Sequence, residues 1–333
     1  MSEQVTSDMH TITKKARQIN VVIRNPEPAH SAKTEQKKGL FHGRPVTQDE
    51  RYAEILQELD QMVGLDDVKE LVYEIYALLQ ITKYREEAGL ATNKQVYHMI
   101  FKGNPGTGKT TVARIIAKLF KAMGVLEKGH LVEVERADLV GEYIGHTAIK
   151  TREMVKKALG GILFIDEAYS LARGGEKDFG KEAIDALVKA MEDHKNQFIL
   201  ILAGYPEEME HFLETNPGLP SRFPIQVAFD DYTVPQLLEI AELMYAEREY
   251  QLSTEARWKL RDRLEAACRW PYELPSNARL VRNLVEQSIR NQAVRLVRQS
   301  VWSREKLTLI LPEDIPDHPL HENAGSHHLK TYM

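Results

Sequence analysis

The sequence has almost no cysteine. Its single one, Cys268, excludes an intrachain disulfide and any zinc site built from several cysteines. Cys268 falls on a helical pattern with Ala256, Leu260, Leu264 and Ala267, which predicts a small buried residue rather than a nucleophile. Long apolar runs are missing too. None reaches the roughly 18 residues a membrane span needs, so no membrane role is expected. The opening residues, MSEQVTSDMH, lack the apolar stretch of a secretory signal, and a cytoplasmic location is the expectation. Nor is there an excess of positive charge. Lys and Arg number 44 against 49 Asp and Glu, a formal net charge of −5. That balance argues against a general affinity for nucleic acid and leaves a local basic patch open. The rest is ordinary soluble-globular composition, 43% hydrophobic and 28% charged, and 333 residues suggest two domains more readily than one.

Residues 1–48 are polar and without a sustained period, with turn formers in RNPEPAH and HGRP. They read as a flexible extension holding one short strand at Val21–Ile23. From residue 49 helical patterns alternate with short apolar runs. Helices are expected near 49–61, 66–88, 109–123, 147–159, 179–195 and 206–215, and strands at HMIF (98–101), LVEVE (131–135), GILFID (161–166), FILILA (198–203) and IQVAF (225–229). Apolar strands separated by helices imply a parallel five-stranded sheet covered on both faces. This α/β domain spans 49–230. From 231 to 311 the pattern changes to three amphipathic helices, 233–250, 254–269 and 277–299, and a last strand in KLTLIL (306–311), a small and mainly helical domain. Residues 312–333 read as a disordered tail.

GNPGTGKT (103–110) fits G-x-x-x-x-G-K-[ST], follows an apolar strand and precedes a helical run of Val112, Ile115, Ile116 and Leu119. In such a P-loop Gly103, Asn104, Pro105, Gly106, Thr107 and Gly108 curl so that backbone N–H groups face phosphates at the positive end of the helix. Lys109 reaches the β- and γ-phosphates, Thr110 offers its hydroxyl to Mg2+, and Thr111 meets the α-phosphate. This pattern implies a bound nucleoside triphosphate. GILFIDEA then ends an apolar strand in two carboxylates, which need a partner there. Asp166 suits Mg2+, directly or through water, and Glu167 suits a water in line with the γ-phosphate. Together they imply hydrolysis.

LVGEYIGHT (139–147) sets Tyr143-Ile144 between Gly141 and Gly145. The glycines read as a loop, and loops run over the surface, where an apolar pair has no core to fill. Two readings stand: a buried anchor for the loop, or an exposed grip on another molecule.

These motifs, with LDQMVGLDDVK, ILAGYPEEM, NPGLPSRFP and SNARLVRNLVE, resemble the AAA+ ATPases from about Leu59 to Leu311. Within them the likeness is to the branch of red-type rubisco activases, which also holds a sporulation ATPase of spore-forming bacteria. The resemblance implies an ATP- and Mg2+-dependent ATPase that assembles as a ring, a hexamer, and remodels a protein partner, with a role in spore formation. Activation of a metabolic enzyme in the manner of the activases, and an ATP-gated binding module with little turnover, are the alternatives. It implies that Val63 and Gly64 lie against the base, that Arg222 acts as a finger on a neighbour's nucleotide, and that Arg279 contacts phosphate from the lid, with Arg282 one turn on as the second choice. Tyr143 and Ile144 would face the central channel, and ARGGEKDFG (172–180) would form a second channel loop. In one place the chain departs from the pattern. Tyr205 stands where many members keep a polar sensor, often Asn; a phenol can donate a hydrogen bond but its reach differs, so a sensor role stays open.

Overall fold

Each strand carries its side chains alternately to the two faces, and helices cover both. The computed structural model describes residues 40–41, 44–45, 50–92, 95–143, 145–174, 178–269, 276–299 and 303–317. The expected strand at Val21–Ile23 lies outside the described residues.

A short antiparallel pair, β1 (Leu40–Phe41) and β2 (Arg44–Pro45), comes first. Helices α1 (Glu50–Asp60) and α2 (Asp66–Glu87) follow, then β3 (Met99–Gly103), α3 (Lys109–Ala122) and β4 (Leu131–Val134). A one-turn helix α4 (Arg136–Leu139) leads to α5 (His146–Ala158) and β5 (Ile162–Ile165). A 3-10 turn (Ala168–Ala172), α6 (Gly180–Asp193), β6 (Ile199–Gly204), α7 (Pro206–Thr215) and β7 (Ile225–Phe229) complete this part.

The five strands β3–β7 form one parallel sheet in the order β4-β5-β6-β3-β7. The central strands β5 and β6 are buried along their whole length, whereas the edge strand β7 alternates, as one-sided burial requires. Met99, Phe101, Phe164, Ile201 and Val227 face α1–α3; Ile100, Leu163, Ile165 and Leu200 face the other side with α5–α7. Neighbouring strands β3 and β6 thus send their helices, α3 and α7, to opposite faces. The C-terminal ends of strands whose helices part in this way are where open α/β sheets bind ligands.

The helical part consists of α8 (Val234–Ala246), α9 (Thr254–Cys268), α10 (Asn277–Gln299) and the short α11 (Arg304–Thr308), with two-residue strands β8 (Gln251–Leu252) and β9 (Leu309–Ile310) paired in parallel. It has its own core of Leu238, Ala241, Leu260, Leu264, Leu284 and Ile310. Its helix starts follow local rules. Thr233 and Gln236 form a capping box, and Ser253 Oγ accepts the Ala256 N–H at 3.1 Å.

Four expectations need correction. Phe41, assigned to the flexible extension, is buried in the large core and stacks on Tyr73, at a site to which the short GLFHGRP stretch has no periodic pattern to point. KLTLIL is half helix: residues up to Thr308 form α11, and the strand is two residues long. The tail does not begin at Pro312, because Ile315 is buried in the helical core and Asp314 receives both arms of the Arg295 guanidinium at 2.8 Å. Cys268 is exposed at the end of α9, one step past the buried stripe of Ala256, Leu260 and Leu264. Among the described residues no helix is long and apolar enough to cross a membrane.

Candidate functional site

The loop between β3 and α3 is shaped by its glycines. Gly106 and Gly108 have φ of +75° and +97°, which side chains disfavour. A Cβ on Gly103 would stand 2.5 Å from Phe229 O, and one on Gly106 would collide with Ser276 O. Thr107 Oγ1 closes the turn onto Asn104 O at 2.9 Å. Lys109, the first residue of α3, folds its ammonium back into this loop and donates to Gly103 O at 2.6 Å and Asn104 O at 2.8 Å. Burial pulls its pKa below the usual lysine value; Asp166 and Asp231 oppose that shift and Arg279 adds to it. A buried cation held by carbonyls alone, among glycines that leave no room for side chains, fits a polyphosphate. Thr110 is half-buried and Thr111 exposed, on the next two positions of α3.

Asp166 and Glu167 follow β5 at the same edge of the sheet. Asp166 is half-buried, Glu167 exposed, and the Glu167 N–H donates to Asp166 Oδ1 at 3.0 Å. Glu167 has φ +47°, a left-handed conformation that costs a non-glycine residue about 1–2 kcal/mol. Backbone strain of this kind gathers at functional sites. Among the described residues no group of three or more His, Cys, Asp or Glu could hold a metal. Mg2+ ordinarily takes one or two carboxylates and completes its shell with phosphate and water.

The lid meets the loop directly. Ala278 N–H donates to Gly106 O at 3.2 Å, so the N-terminus of α10 abuts the cradle, and Arg279 extends from that turn. Val63 and Gly64 lie on the same side. The turn around them packs on the cradle through Met62 and Leu65 beside Gly108, and a Cβ on Gly64 would stand 2.6 Å from Gln236 Nε2 of the lid. Sequence reasoning missed the joint that holds these parts. Asn277, at φ +47° and 3% exposed, donates to Asp231 Oδ1 at 2.8 Å and to Pro105 O at 3.2 Å, and accepts Tyr232 N–H at 2.9 Å. Asp231 also accepts Asn104 Nδ2 at 2.9 Å, and Tyr232 Oη donates to Thr107 O at 3.2 Å. The asparagine in SNAR was the available signal, since Asn tolerates a left-handed backbone.

Tyr205 follows β6 and stacks on Tyr169 with ring centroids 5.6 Å apart, which ties it to the turn behind Glu167. Arg222 is elsewhere. It precedes β7 at the opposite, N-terminal edge of the sheet, about 15 Å away at the rise of a five-residue strand. There it pairs with Glu192 at 2.6 Å beside a cavity of about 720 Å3 that Tyr97, His98 and Phe198 also line. The chemistry does not follow this cavity, because the backbone nest and the carboxylates are at the other edge. Tyr143 is 66% exposed, which excludes the buried-anchor reading; Ile144 and Gly175–Lys177 of the second loop lie outside the described residues.

Residues 99–231 match the ATPase family associated with various cellular activities, AAA, and residues 233–325 match the AAA lid domain. Stage V sporulation protein K of Bacillus subtilis is 60% identical over 263 residues, 79% of this chain and 82% of that protein. Protein CbbX of Cereibacter sphaeroides is 46% identical over 249 residues, 74% and 80% of the two chains. The chloroplastic ribulose bisphosphate carboxylase/oxygenase activase of Cyanidioschyzon merolae is 42% identical over 278 residues, 81% and 90%. Among solved structures, the AAA domain of FIGL-1 in complex with ADP superposes with a TM-score of 0.52 at 14% identity over 76% of this chain and 80% of that one, a likeness of fold. The chain carries both the ATPase domain and the lid domain of this family, and it is a member of the AAA family of ATPases.

Proposed function

We propose that the chain is a Mg2+-dependent ATPase that works as a ring, a hexamer, and pulls on a protein client in the cytoplasm during spore formation. The observation that carries the ring is the divided site. Lys109, Asp166 and Glu167 share one edge of the sheet while Arg222 points from the other, so the guanidinium reaches a nucleotide only in a second subunit. The large domain spans 49–230 with Phe41 added to its core, the lid 231–311 with Asp314 and Ile315 added.

ATP binding exchanges the two carbonyls on Lys109 for phosphate oxygens, with the N–H groups of 103–108 around them and Thr111 at the α-phosphate. Val63 and Gly64 face the base. Thr110 and Asp166 would hold Mg2+, which neutralises phosphate charge when bound. Glu167 orients the attacking water and accepts its proton. Arg222 of one subunit and Arg279 of the lid stabilise the charge on the departing phosphate, a role that can supply 10³–10⁵ in rate for a finger. Tyr205 is held by Tyr169 at the end of β6, and its hydroxyl is the sensor candidate. Tyr143, with Ile144, grips the client chain in the channel, where an exposed aromatic binds without reading sequence.

The sporulation client is favoured by the 60% identical relative; an activase-like client is the second reading, supported by the 42% identical activase. Mixing tests the ring. Arg222→Ala and Lys109→Ala chains are each inactive, and their mixture regains part of the ATPase activity through interfaces that combine an intact pocket with an intact finger. A monomer in every nucleotide state with undiminished ATPase activity overturns it. Restoration of spores in a Bacillus subtilis strain lacking stage V sporulation protein K decides between the clients.

A further inference from the structure

The loop carrying Tyr143 stands on a fixed base. Gly141 N–H donates to Thr147 Oγ1 at 2.9 Å, Thr151 Oγ1 to Leu139 O at 3.2 Å, and Lys150 Nζ to Ala137 O and Val140 O at 3.2 and 3.1 Å. These bonds join α4 and α5 into one unit, with the exposed Tyr143 at its tip. The other end of α4 is Arg136, and its guanidinium faces away from the loop.

Two partners hold that guanidinium. Nη1 donates to Ser170 O at 2.5 Å, inside the 3-10 turn that begins directly behind Glu167. Nη2 pairs with the Asp178 carboxylate, which also accepts Gly180 N–H at 3.2 Å where α6 starts. The pair is largely shielded, with side chains 33% and 14% exposed. Burial pushes the Asp178 pKa up, but the bonds from Arg136 and Gly180 outweigh it and hold the carboxyl below its usual range. The backbone closes around the same group: a Cβ on Gly180 would stand 3.0 Å from Arg136 Nη1.

We propose that Arg136 is a positioning residue that carries nucleotide state from the turn behind Glu167 to the Tyr143 loop. A shift of Ala168–Ala172 pulls on Arg136 through Ser170, and α4 delivers that movement to the tip. Asp178 adds the start of α6, and with it the end of the 172–180 loop, to the same linkage. A guanidinium holds its carbonyl and carboxylate partners on separate arms of a rigid planar fork, whereas a lysine offers a single charged centre on a flexible stem. The inference rests on the reading of Tyr143 as a channel residue that moves with nucleotide.

The test uses the full chain with Tyr143→Trp as a reporter and Glu167→Gln to arrest turnover. Acrylamide quenching is compared in ADP and ATP, after subtraction of the same chain without Trp at 143. We expect a nucleotide-dependent difference that Arg136→Gln lowers about fivefold, a coupling of ordinary size, while affinity for a fluorescent ATP and the melting temperature stay near those of the parent. Arg136→Lys recovers part of the difference. An unchanged difference in folded Arg136→Gln overturns the linkage. So does a loss of ATP affinity and melting temperature together, which marks a residue that only supports the fold. If Arg136→Gln does not fold, Asp178→Asn keeps the acceptor oxygen without the charge and must itself lower the difference; no change there overturns the proposal. No difference in the parent chain overturns the moving-loop reading instead, and the linkage with it, but leaves the ATPase assignment intact.

Discussion

Two glycine-bearing loops belong to the same sheet domain, one directly after β3 and the other beyond the edge strand β4 and α4, and they are built in opposite ways. In 103–110 the backbone is crowded on every side: glycines touch Phe229, Ser276 and the N-terminus of α10, and the one long side chain, Lys109, turns inward. In 141–145 the crowding stops at the base. Gly141 is wedged, with a Cβ position 2.5 Å from His146 Cβ, but Gly145 at φ +83° has nothing within 4 Å, and Tyr143 turns outward to rest its ring edge on His146. The first loop is held in shape by its neighbours. The second presents an exposed aromatic side chain beside an open glycine. Glycine content alone does not separate these uses; the neighbours of each glycine do.

That contrast can be broken at the phosphate loop with the largest effect. Lys109→Ala is expected to lower ATP affinity more than about 100-fold, since it removes the buried cation of the cradle. Glu167→Gln is expected to leave affinity near normal and slow turnover about 10²–10⁴-fold, the usual worth of a general base. Calorimetric titration with ATP and steady-state phosphate release measure the two; near-normal release by Glu167→Gln would remove it from the chemistry.

A matched pair of substitutions sharpens the comparison. Gly106→Ala must displace Ser276 and the start of α10, so both ATP affinity and lid docking should suffer, with affinity down about tenfold or more as the lid contact is lost. Gly145→Ala meets no neighbour and should cost only the left-handed backbone penalty, about 1–2 kcal/mol, with ATP affinity unchanged. Equal losses of affinity in both would mean that the two loops are not built differently after all.

The smallest effect belongs to Tyr143. Its exposure predicts that Tyr143→Ala changes stability by about 0.5 kcal/mol or less. Basal ATPase activity should stay within about twofold for the same reason, while rescue of the sporulation defect is lost. Thermal melting, phosphate release and spore counts on one preparation check this; a fall in melting temperature of several degrees would return Tyr143 to a packing role.

Much of this architecture is written locally. The five strands of the sheet appear as apolar runs within a residue or two of β3–β7, because a buried parallel strand needs little else. The P-loop is equally plain, since the spacing of Gly103, Gly106 and Gly108 records where φ turns positive or a Cβ has no room. Asp166-Glu167 stands out because carboxylates at the end of an apolar strand require a reason. Other features leave no local trace. Phe41 is one aromatic in a polar stretch, and only α2 supplies the Tyr73 that makes it core. Cys268 sits on a helix whose apolar period identifies a face but not where that face ends.

The chemical inventory of this protein was therefore decided along the chain: which residues can cradle phosphate, which can activate water, and which helices and strands carry them. Their division into sites was not. Asn277 meets Asp231 across 46 residues and Pro105 across 172, and Arg136 meets Asp178 across 42. Arg222 sits in the 3-10 turn before β7 and Lys109 just after β3, yet the parallel pairing of β7 with β3 sends them to opposite ends of the sheet. Hydrogen-bond partners of this kind are interchangeable in a sequence, where any amide or carboxylate would serve. Only tertiary packing, of the lid on the sheet for Asn277 and within the sheet domain for Arg136 and Arg222, determines which of them come within reach.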